Sequence, residues 1–384
     1  MVEWKPLYSI VKSISTGLNP RQNFVLNEDK ANYYYVTVKE ITTNKVVFSD
    51  STDKITEAAK RIINNRSKLA VGDILFSGIG TIGKVAYVDF STHNWDCSES
   101  VFLIKPEEDV VIGKYLSYIL SSNTAKSQYE RGSAGAIMKG VRKSTLENLQ
   151  IPIPSLSEQE RIVGILDTFS AAIENLKAQI ANRRKQYEHY RDQLLDLEGK
   201  EGVEMKTLGE IGDVCMCKRI MKEQTSEKGD VPFYKIGTFG GDADAYISRY
   251  LFEDYKSKYS YPKKGEILLS ASGTIGRKVV YNGEDAYFQD SNIVWIANNE
   301  KQVKNVFLYY VYSIIDWKVD GGTIKRLYNY NLKNAIIPVP SLSEQSRIVS
   351  ILDTFEASIA NLEAQLKERE KQYEYYRNQL LTFE

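Results

Sequence analysis

The residues of this chain that look most like chemistry are three glycines. In SGIGTIGKVAYV, from Ser77 to Val88, Gly78, Gly80 and Gly83 fit G-x-G-x-x-G, and Gly83-Lys84 supplies part of a P-loop. Either pattern would cradle a phosphate on backbone N–H groups at a helix N-terminus. The neighbouring residues argue against both. A P-loop places Ser or Thr after its lysine to hold magnesium, and Val85 stands there. Both patterns also need a helix next, whereas KVAYV has strand composition. A second copy, SASGTIGRKVVYN from Ser270, has Ala271 in place of Gly78. The shared kernel, Gly80-Thr81-Ile82-Gly83 and Gly273-Thr274-Ile275-Gly276, predicts a tight strand-to-strand connection whose glycines take positive φ.

Other catalytic or metal chemistry finds little support. Cys97, Cys215 and Cys217, with His93 and His189, make a poor zinc set, and Cys215 and Cys217 read as small apolar residues near a strand. There is no HExxH or GxSxG, and Phe239-Gly240-Gly241 is followed by no methyltransferase catalytic motif. No catalytic or metal-binding residue is assigned. More informative are two basic segments. RGSAGAIMKGVRKSTLENLQIPIP carries Arg131, Lys139, Arg142 and Lys143, and DGGTIKRLYNYNLKNAIIPVP carries Lys325, Arg326 and Lys333 with Tyr328, Asn329 and Tyr330. Arg and Lys reach phosphates and guanine edges, and Asn pairs with adenine in a major groove. Composition alone leaves a solvated loop with helix-flanking charges equally open. The chain balances 50 basic against 50 acidic residues, and residues 1 to 150 hold 19 against 16. A DNA-reading surface must then be local or be completed by partners.

The elements that carry these residues come in pairs. IPIPSLSEQERIVGILDTFSAAIENLKAQIANRRKQYEHYRDQLLDLE, from Ile151, returns from Ile337 identical at 33 of 48 positions. Fainter echoes precede each copy, VEWKPLYSI against VEMKTLGEI and VGDILFS against KGEILLS. Within the first copy Ile162, Leu166, Phe169, Ile173, Leu176, Ile180, Arg183, Tyr187, Tyr190 and Leu194 alternate steps of four and three, the a/d seam of a heptad repeat, which only the arginine interrupts. Ser155 with Glu158, and Ser341 with Glu344, have capping-box spacing after an approach held extended by prolines. A helix of roughly 40 residues would be about 60 Å long. The second module starts about five residues after helix one, a reach of about 18 Å at most. The economical pairing is therefore antiparallel, and predicts two globular modules held apart by a two-helix rod. The modules mix strands (YYYVTVKEI, DILFS, KVAYV, SVFLIKP; then EILLS, RKVVYN, IVWIA) with a helix over VIGKYLSYILSSNTAKSQYE, matched by NVFLYYVYSII. The fold class is two α/β (α+β) modules in tandem, separated by two long helices that form an antiparallel coiled coil, with a pseudo-two-fold repeat. The divisions fall at residues 1–150, 151–200, 201–336 and 337–384.

These residues resemble the specificity subunit of type I restriction-modification systems over essentially the whole chain. The resemblance rests on the duplicated IP[IV]PSLSEQ-x-RIV-x-ILDTF helix, on [VK]G[DE]IL-x-S followed by GTIG[KR] in each half, and on the G-x-x-x-K stretch before each Ile-Pro-x-Pro. It implies two target recognition domains, each reading one half of a split, asymmetric site on double-stranded DNA. It also implies helices that fix the spacing and bind two adenine-methylating modification subunits, with restriction subunits completing the endonuclease. S-adenosylmethionine, ATP and magnesium would then belong to the partners, this chain holding no cofactor and catalysing nothing. The chemistry of the loops selects Lys84, Arg131, Lys139, Arg142 and Lys143 in the first half, and Arg277, Lys325, Arg326, Tyr328, Asn329 and Tyr330 in the second, as DNA contacts. Arg161, Tyr187, Arg347 and Tyr373 are the expected partner contacts on the helices. Without an apolar run long enough for a membrane span or a signal-peptide start, a cytoplasmic location is expected. A coiled-coil adaptor without DNA specificity and a chain with its own methyltransferase or nuclease activity are the competing readings.

Overall fold

The computed structural model describes residues 2–42, 44–132, 140–321 and 325–383, in two compact units, Met1–Lys177 with Ala364–Glu384 and Ala178–Glu363. The units share one topology. The first has a four-stranded antiparallel sheet in the order Val11–Thr16, Val101–Pro106, Ile74–Ser77, Val85–Tyr87, and the second repeats it as Gly212–Met216, Ile293–Asn298, Ile267–Ser270, Lys278–Val280. Each also has a three-stranded sheet with one parallel pair, Tyr33–Val36 beside Trp95–Cys97 and Val231–Tyr234 beside Tyr287–Phe288. The central strands read as unbroken apolar runs because both of their faces are buried. Ile74, Phe76 and Ile104 pack on the helical side, while Leu75, Val101 and Leu103 pack with Trp95 on the other. Cys215 lies on a strand of the second unit and Cys217 in its core. Among the described residues no helix is long and apolar enough to cross a membrane.

Two expected elements are shorter than their pattern. YYYVTVKEI is extended only over Tyr33–Val36 and again at Ile41–Thr42, because the Glu40 carboxylate accepts the Thr37 N–H and hydroxyl, 2.8 Å each, and turns the chain between. The helix expected over VIGKYLSYILSSNTAKSQYE is two helices, Gly113–Leu120 and Asn123–Gly132. Serines make the break. Ser121 donates back to the Tyr118 carbonyl, and the Ser122 hydroxyl accepts the Ala125 N–H at the start of the next helix.

The near-identical segments open as strands and continue as helices of 40 and 39 residues, Leu156–Leu195 and Leu342–Leu380. Gln150–Ile153 pairs with Glu3–Pro6 and Ile336–Val339 with Glu204–Thr207 in the same register, Trp4 opposite Pro152 and Met205 opposite Pro338. The Ser155 and Ser341 hydroxyls accept the Glu158 and Glu344 N–H groups at 3.4 and 3.2 Å. The glutamates do not reach back as a full capping box requires, because their carboxylates grip Arg161 and Arg347 in paired bonds of 2.6–2.8 Å. The deeper anchor is the next residue. Gln159 and Gln345 are 0% exposed. Gln159 accepts the Ile112 N–H (2.8 Å) and donates to the Val110 and Pro154 carbonyls (3.2 and 3.0 Å). Gln345 does the same for Lys304, Gln302 and Pro340 (2.9, 2.8 and 2.9 Å). Two turns on, the Tyr118 hydroxyl and the Lys114 ammonium both reach Asp167, at 2.6 and 2.7 Å, and Tyr310 reaches Asp353.

In each unit the seam is antiparallel. Within the first, Phe169 stacks on Tyr376 (5.2 Å) and Lys177 pairs with Glu370 (3.1 Å). Within the second, Tyr190 stacks on Phe355 (5.3 Å) and Arg184 pairs with Glu363 (2.5 Å). The arginine that interrupts each heptad is accommodated by those same rings: Arg183 lies 5.7 Å from the Phe355 centroid and Arg369 5.7 Å from that of Phe169.

The second unit also holds a half-buried lysine. The Lys278 amine donates to the Tyr309 carbonyl and the Ser313 hydroxyl, 3.7 Å from the Tyr309 ring centroid. Burial lowers its pKa from 10.5 to about 8, Glu356 opposing the shift and Arg191 adding to it. Between those two values the unfolded chain holds a proton that the folded unit has released, so stability should rise with pH across that window. Urea unfolding from pH 7 to 9, below the range in which the second unit's buried cysteine and tyrosines shift stability the other way, should show this rise, and Lys278→Met should flatten it. Gln159→Ala should lower the stability of the first unit by about 3 kcal/mol, because a buried N–H and two carbonyls lose their partner. The check is urea denaturation together with loss of hydrogen-exchange protection at the Ile112 amide.

Candidate nucleic-acid interface

The glycine kernel and the basic segment meet at one rim of each unit. The Ser77 N–H donates to the Lys84 carbonyl (2.9 Å) and the Gly83 N–H to the Ser77 carbonyl (3.0 Å). The Ser77 side chain ties the connection inside, donating to Thr81 and accepting from the Lys84 N–H, 2.7 Å each. Ser270 repeats all four bonds with Arg277, Gly276 and Thr274. Gly80 and Gly83 have φ of +82°, and Gly273 and Gly276 +66° and +81°, so the connection is the strand-to-strand turn the sequence predicts. The basic segment then returns alongside. Val141 N–H donates to the Gly78 carbonyl and Leu327 N–H to that of Ala271, both at 2.8 Å.

The predicted DNA contacts divide by what holds their charged ends. Arg142 and Lys143 are exposed where the chain leaves the rim, Arg142 preceding and Lys143 opening the short helix Lys143–Glu147; the Lys143 ammonium lies 3.5 Å from Glu147. Arg131 sits on the outer side of the helix whose Tyr129 abuts Gly83, its guanidinium turned back to the Ser127 carbonyl at 2.9 Å. Lys139 lies outside the described residues. In the second unit Lys325 is exposed, and Tyr328 and Tyr330, 43% and 55% exposed, stack on each other at 6.0 Å around Asn329. Tyr330 also donates to Asp320, as does Asn331 at 2.7 Å. Arg326 is half-buried, with Nη2 2.8 Å from the Asn292 side-chain oxygen. Lys84 and Arg277 occupy equivalent places after the kernel. Each donates to a main-chain carbonyl of its own unit, Val38 at 2.9 Å and Phe239 at 2.8 Å, so each ties a loop to the rim. The kernel's position gave no sign of that inward bond.

The expected partner contacts are placed unequally. Arg161 and Arg347 are exposed near the start of each helix, though both are engaged by the glutamate three residues earlier. Tyr187 is half-buried with its hydroxyl on Glu356 (3.0 Å), and Tyr373 is 8% exposed in the core of the first unit. Their rings belong to the seam. Tyr375 is the strongly exposed ring beside Tyr373. Sequence reasoning missed Gln159, Gln345, Ser272 and Asn292. For the glutamines a signal existed, since SLSEQ recurs unchanged in both copies.

The family model of the type I restriction modification DNA specificity domain matches residues 1–183 and again 200–371. A putative type I restriction enzyme specificity subunit of Haemophilus influenzae is 52% identical over 263 residues, 65% of this chain and 68% of that protein. The specificity subunit of the type I restriction enzyme EcoR124I/EcoR124II of Escherichia coli is 30% identical over 415 residues, 100% of this chain and 94% of that one. A solved chain from a study of complex assembly and conformational transition in the type I restriction-modification system has a TM-score of 0.63 at 20% identity, covering 99% of this chain and 96% of that chain, a likeness of fold. With a specificity domain in each half and a full-length relative of that kind, the chain belongs to the type I restriction enzyme specificity subunits, the family of DNA sequence recognition.

Proposed function

We propose that each unit reads one half of a bipartite, asymmetric site on double-stranded DNA, and that the chain supplies no catalytic group of its own. The observation that carries this reading is a duplicated rim with unlike side chains: the same serine-tied glycine connection and returning basic segment occur twice, with different residues facing out. Two copies of one scaffold with different chemistry suit two different half-sites. The paired long helices set the half-site separation and dock two modification subunits through their near-identical surfaces, and restriction subunits complete the assembly. S-adenosylmethionine, ATP and magnesium act on those partners.

Arg142, Lys143 and Lys325 neutralise phosphates, while Tyr328, Asn329 and Tyr330 present a stacked polar face to the duplex. Arg131 and Lys139 extend the basic border, and Lys84 and Arg277 act by fixing the loops they bind. Arg161, Arg347 and the seam ends around Tyr187 and Tyr373 lie toward the modification subunits.

The test is long-read methylome sequencing of a methylation-free host expressing this chain with its modification subunit. The expected result is a methyl-adenine motif split by one fixed spacer and present only when both are expressed; solubly associated proteins without any such motif would sink the reading. A second outcome follows from helix geometry. Inserting four residues into both long helices adds about 6 Å, and the methylated motif should move to a different spacer. A motif that keeps its original spacer counts against the helices acting as a ruler.

A further inference from the structure

The duplication allows the two rims to be compared position by position, because main-chain hydrogen bonds define which residues are equivalent. Val141 to Gly78 and Leu327 to Ala271 make Gly140 and Arg326 equivalent, and the bridges Ile79–Gly140 and Ser272–Arg326 make Ile79 and Ser272 equivalent. Gly78 N–H to Ser100 (2.9 Å) and Ala271 N–H to Asn292 (2.7 Å) do the same for Ser100 and Asn292. All three side chains change while the backbone pattern holds. The first unit has Ile79, Ser100 and Gly140; the second has Ser272, Asn292 and Arg326.

The consequences differ in kind. In the first unit Ile79 is 50% exposed, beside a residue with no side chain, and offers an apolar face. In the second, the Ser272 hydroxyl and Arg326 Nη2 both donate to Asn292 Oδ1 at 2.8 Å, and Nη2 lies 3.4 Å from the Ser291 hydroxyl. Two donors converging on one oxygen fix the Asn292 amide and, through it, the position of Arg326 Nη2. Ser291 holds the adjoining backbone at φ +47°. Lys84 and Arg277 contrast with this pattern: both are cations, and both are tied to carbonyls. Such a pair belongs to the shared scaffold and cannot distinguish one half-site from the other.

We propose that these three positions are the base-discriminating set of each unit, and that Arg326 donates to O6 and N7 of a guanine in the second half-site. Asn292 is its positioning residue. Ile79 meets a thymine methyl in the first half-site. An arginine whose Nη2 is already held loses less freedom on pairing with a planar two-acceptor edge than a free one, and a lysine cannot match its fork. The proposal rests on the DNA-reading role argued above.

The experiment uses the full chain co-expressed with its modification subunit. Methylated motifs are read for the unaltered chain and for Arg326→Ala, Arg326→Lys, Asn292→Ala and Asn292→Asp; binding is measured on duplexes changed one base pair at a time. The unaltered chain should require a G·C pair at one position of the second half-site. Arg326→Ala and Arg326→Lys should relax that position alone, shrinking its discrimination by on the order of tenfold to a hundredfold, with the first half-site unchanged. Asn292→Ala should relax the same base pair, and Asn292→Asp, which keeps both acceptor bonds, should restore it. Ile79→Ser should relax one A·T position of the first half-site. Uniform weakening on every duplex with the motif intact would make Arg326 a phosphate contact and overturn the set. A motif left intact by both Arg326 variants overturns the set alone, whereas no motif from the unaltered, assembled chain overturns the DNA-reading role and the set with it.

Discussion

One buried amide at the root of each long helix determines where everything beyond it can lie. Gln159 takes one N–H and gives to two carbonyls, and those three groups come from the loop before the helix Gly113–Leu120 and from the proline approach to the long helix. Leaving such groups unpaired inside a core is costly, so the amide fixes both segments to the first turn of the long helix. Asp167 adds a second fixed point about 12 Å along the axis, bonded to Tyr118 and Lys114, with Ile162 and Leu166 buried between. Two polar points with an apolar contact between them fix a direction as well as a position. Gln345, Ile348, Leu352 and Asp353 do the same in the second unit.

That anchoring bears on why SLSEQ and ILDTF recur unchanged in segments that otherwise differ at about a third of their positions. Several of the recurring letters meet the module: the serine cap, the glutamine, Leu166 and the aspartate, with Ile162 of the equally recurrent RIV buried between them. Where the modules differ, the helix differs with them. Ser170 in the first copy becomes Glu356 in the second, and that carboxylate accepts the Tyr187 hydroxyl and opposes the pKa depression of the half-buried Lys278, which has Val85 at its place in the first unit. Part of the sequence identity between the helices is therefore a record of how each holds its own module.

The strands, the long helices, their antiparallel seam and the glycine turn were legible because each leaves a periodic or conformational mark. A strand buried on both faces is a continuous apolar run, a heptad seam repeats every seven residues, and a turn at positive φ calls for glycine. The glutamine clasp left no such mark. Its partners are main-chain groups, which carry no letter, and a polar residue in SLSEQ reads as solvated. The serine break after Leu120 was hidden for a related reason, since Ser121 and Ser122 compete for main-chain groups only once the helix has reached them. Tyr373 is a different case: its heptad position was right, and its burial in the seam followed from it. At the rim, residue type indicated positive charge without saying which way it pointed. Lys84 and Arg277 are each tied to a main-chain carbonyl of their own unit, whereas Arg142, Lys143 and Lys325 are exposed without such a tie among the described residues.

The rim itself is built so that its side chains can change without cost to the fold. Gly78 and Ala271 bond forward to residues 141 and 327 and back to residues 100 and 292 entirely through main-chain groups. Such bonds do not run through the side chains of residues 140 and 326, so glycine at one and arginine at the other both leave the scaffold's hydrogen bonding satisfied. The one side chain the turn requires, Ser77 or Ser270, is the same in both units, because its hydroxyl closes the loop from within. Stability is thus assigned to the backbone, the serine and the buried glutamine, which leaves residues 79, 100 and 140, and 272, 292 and 326, free to diverge. A surface that must read different sequences on one frame needs that separation, and here it arises from which hydrogen bonds run through main chain and which through side chain.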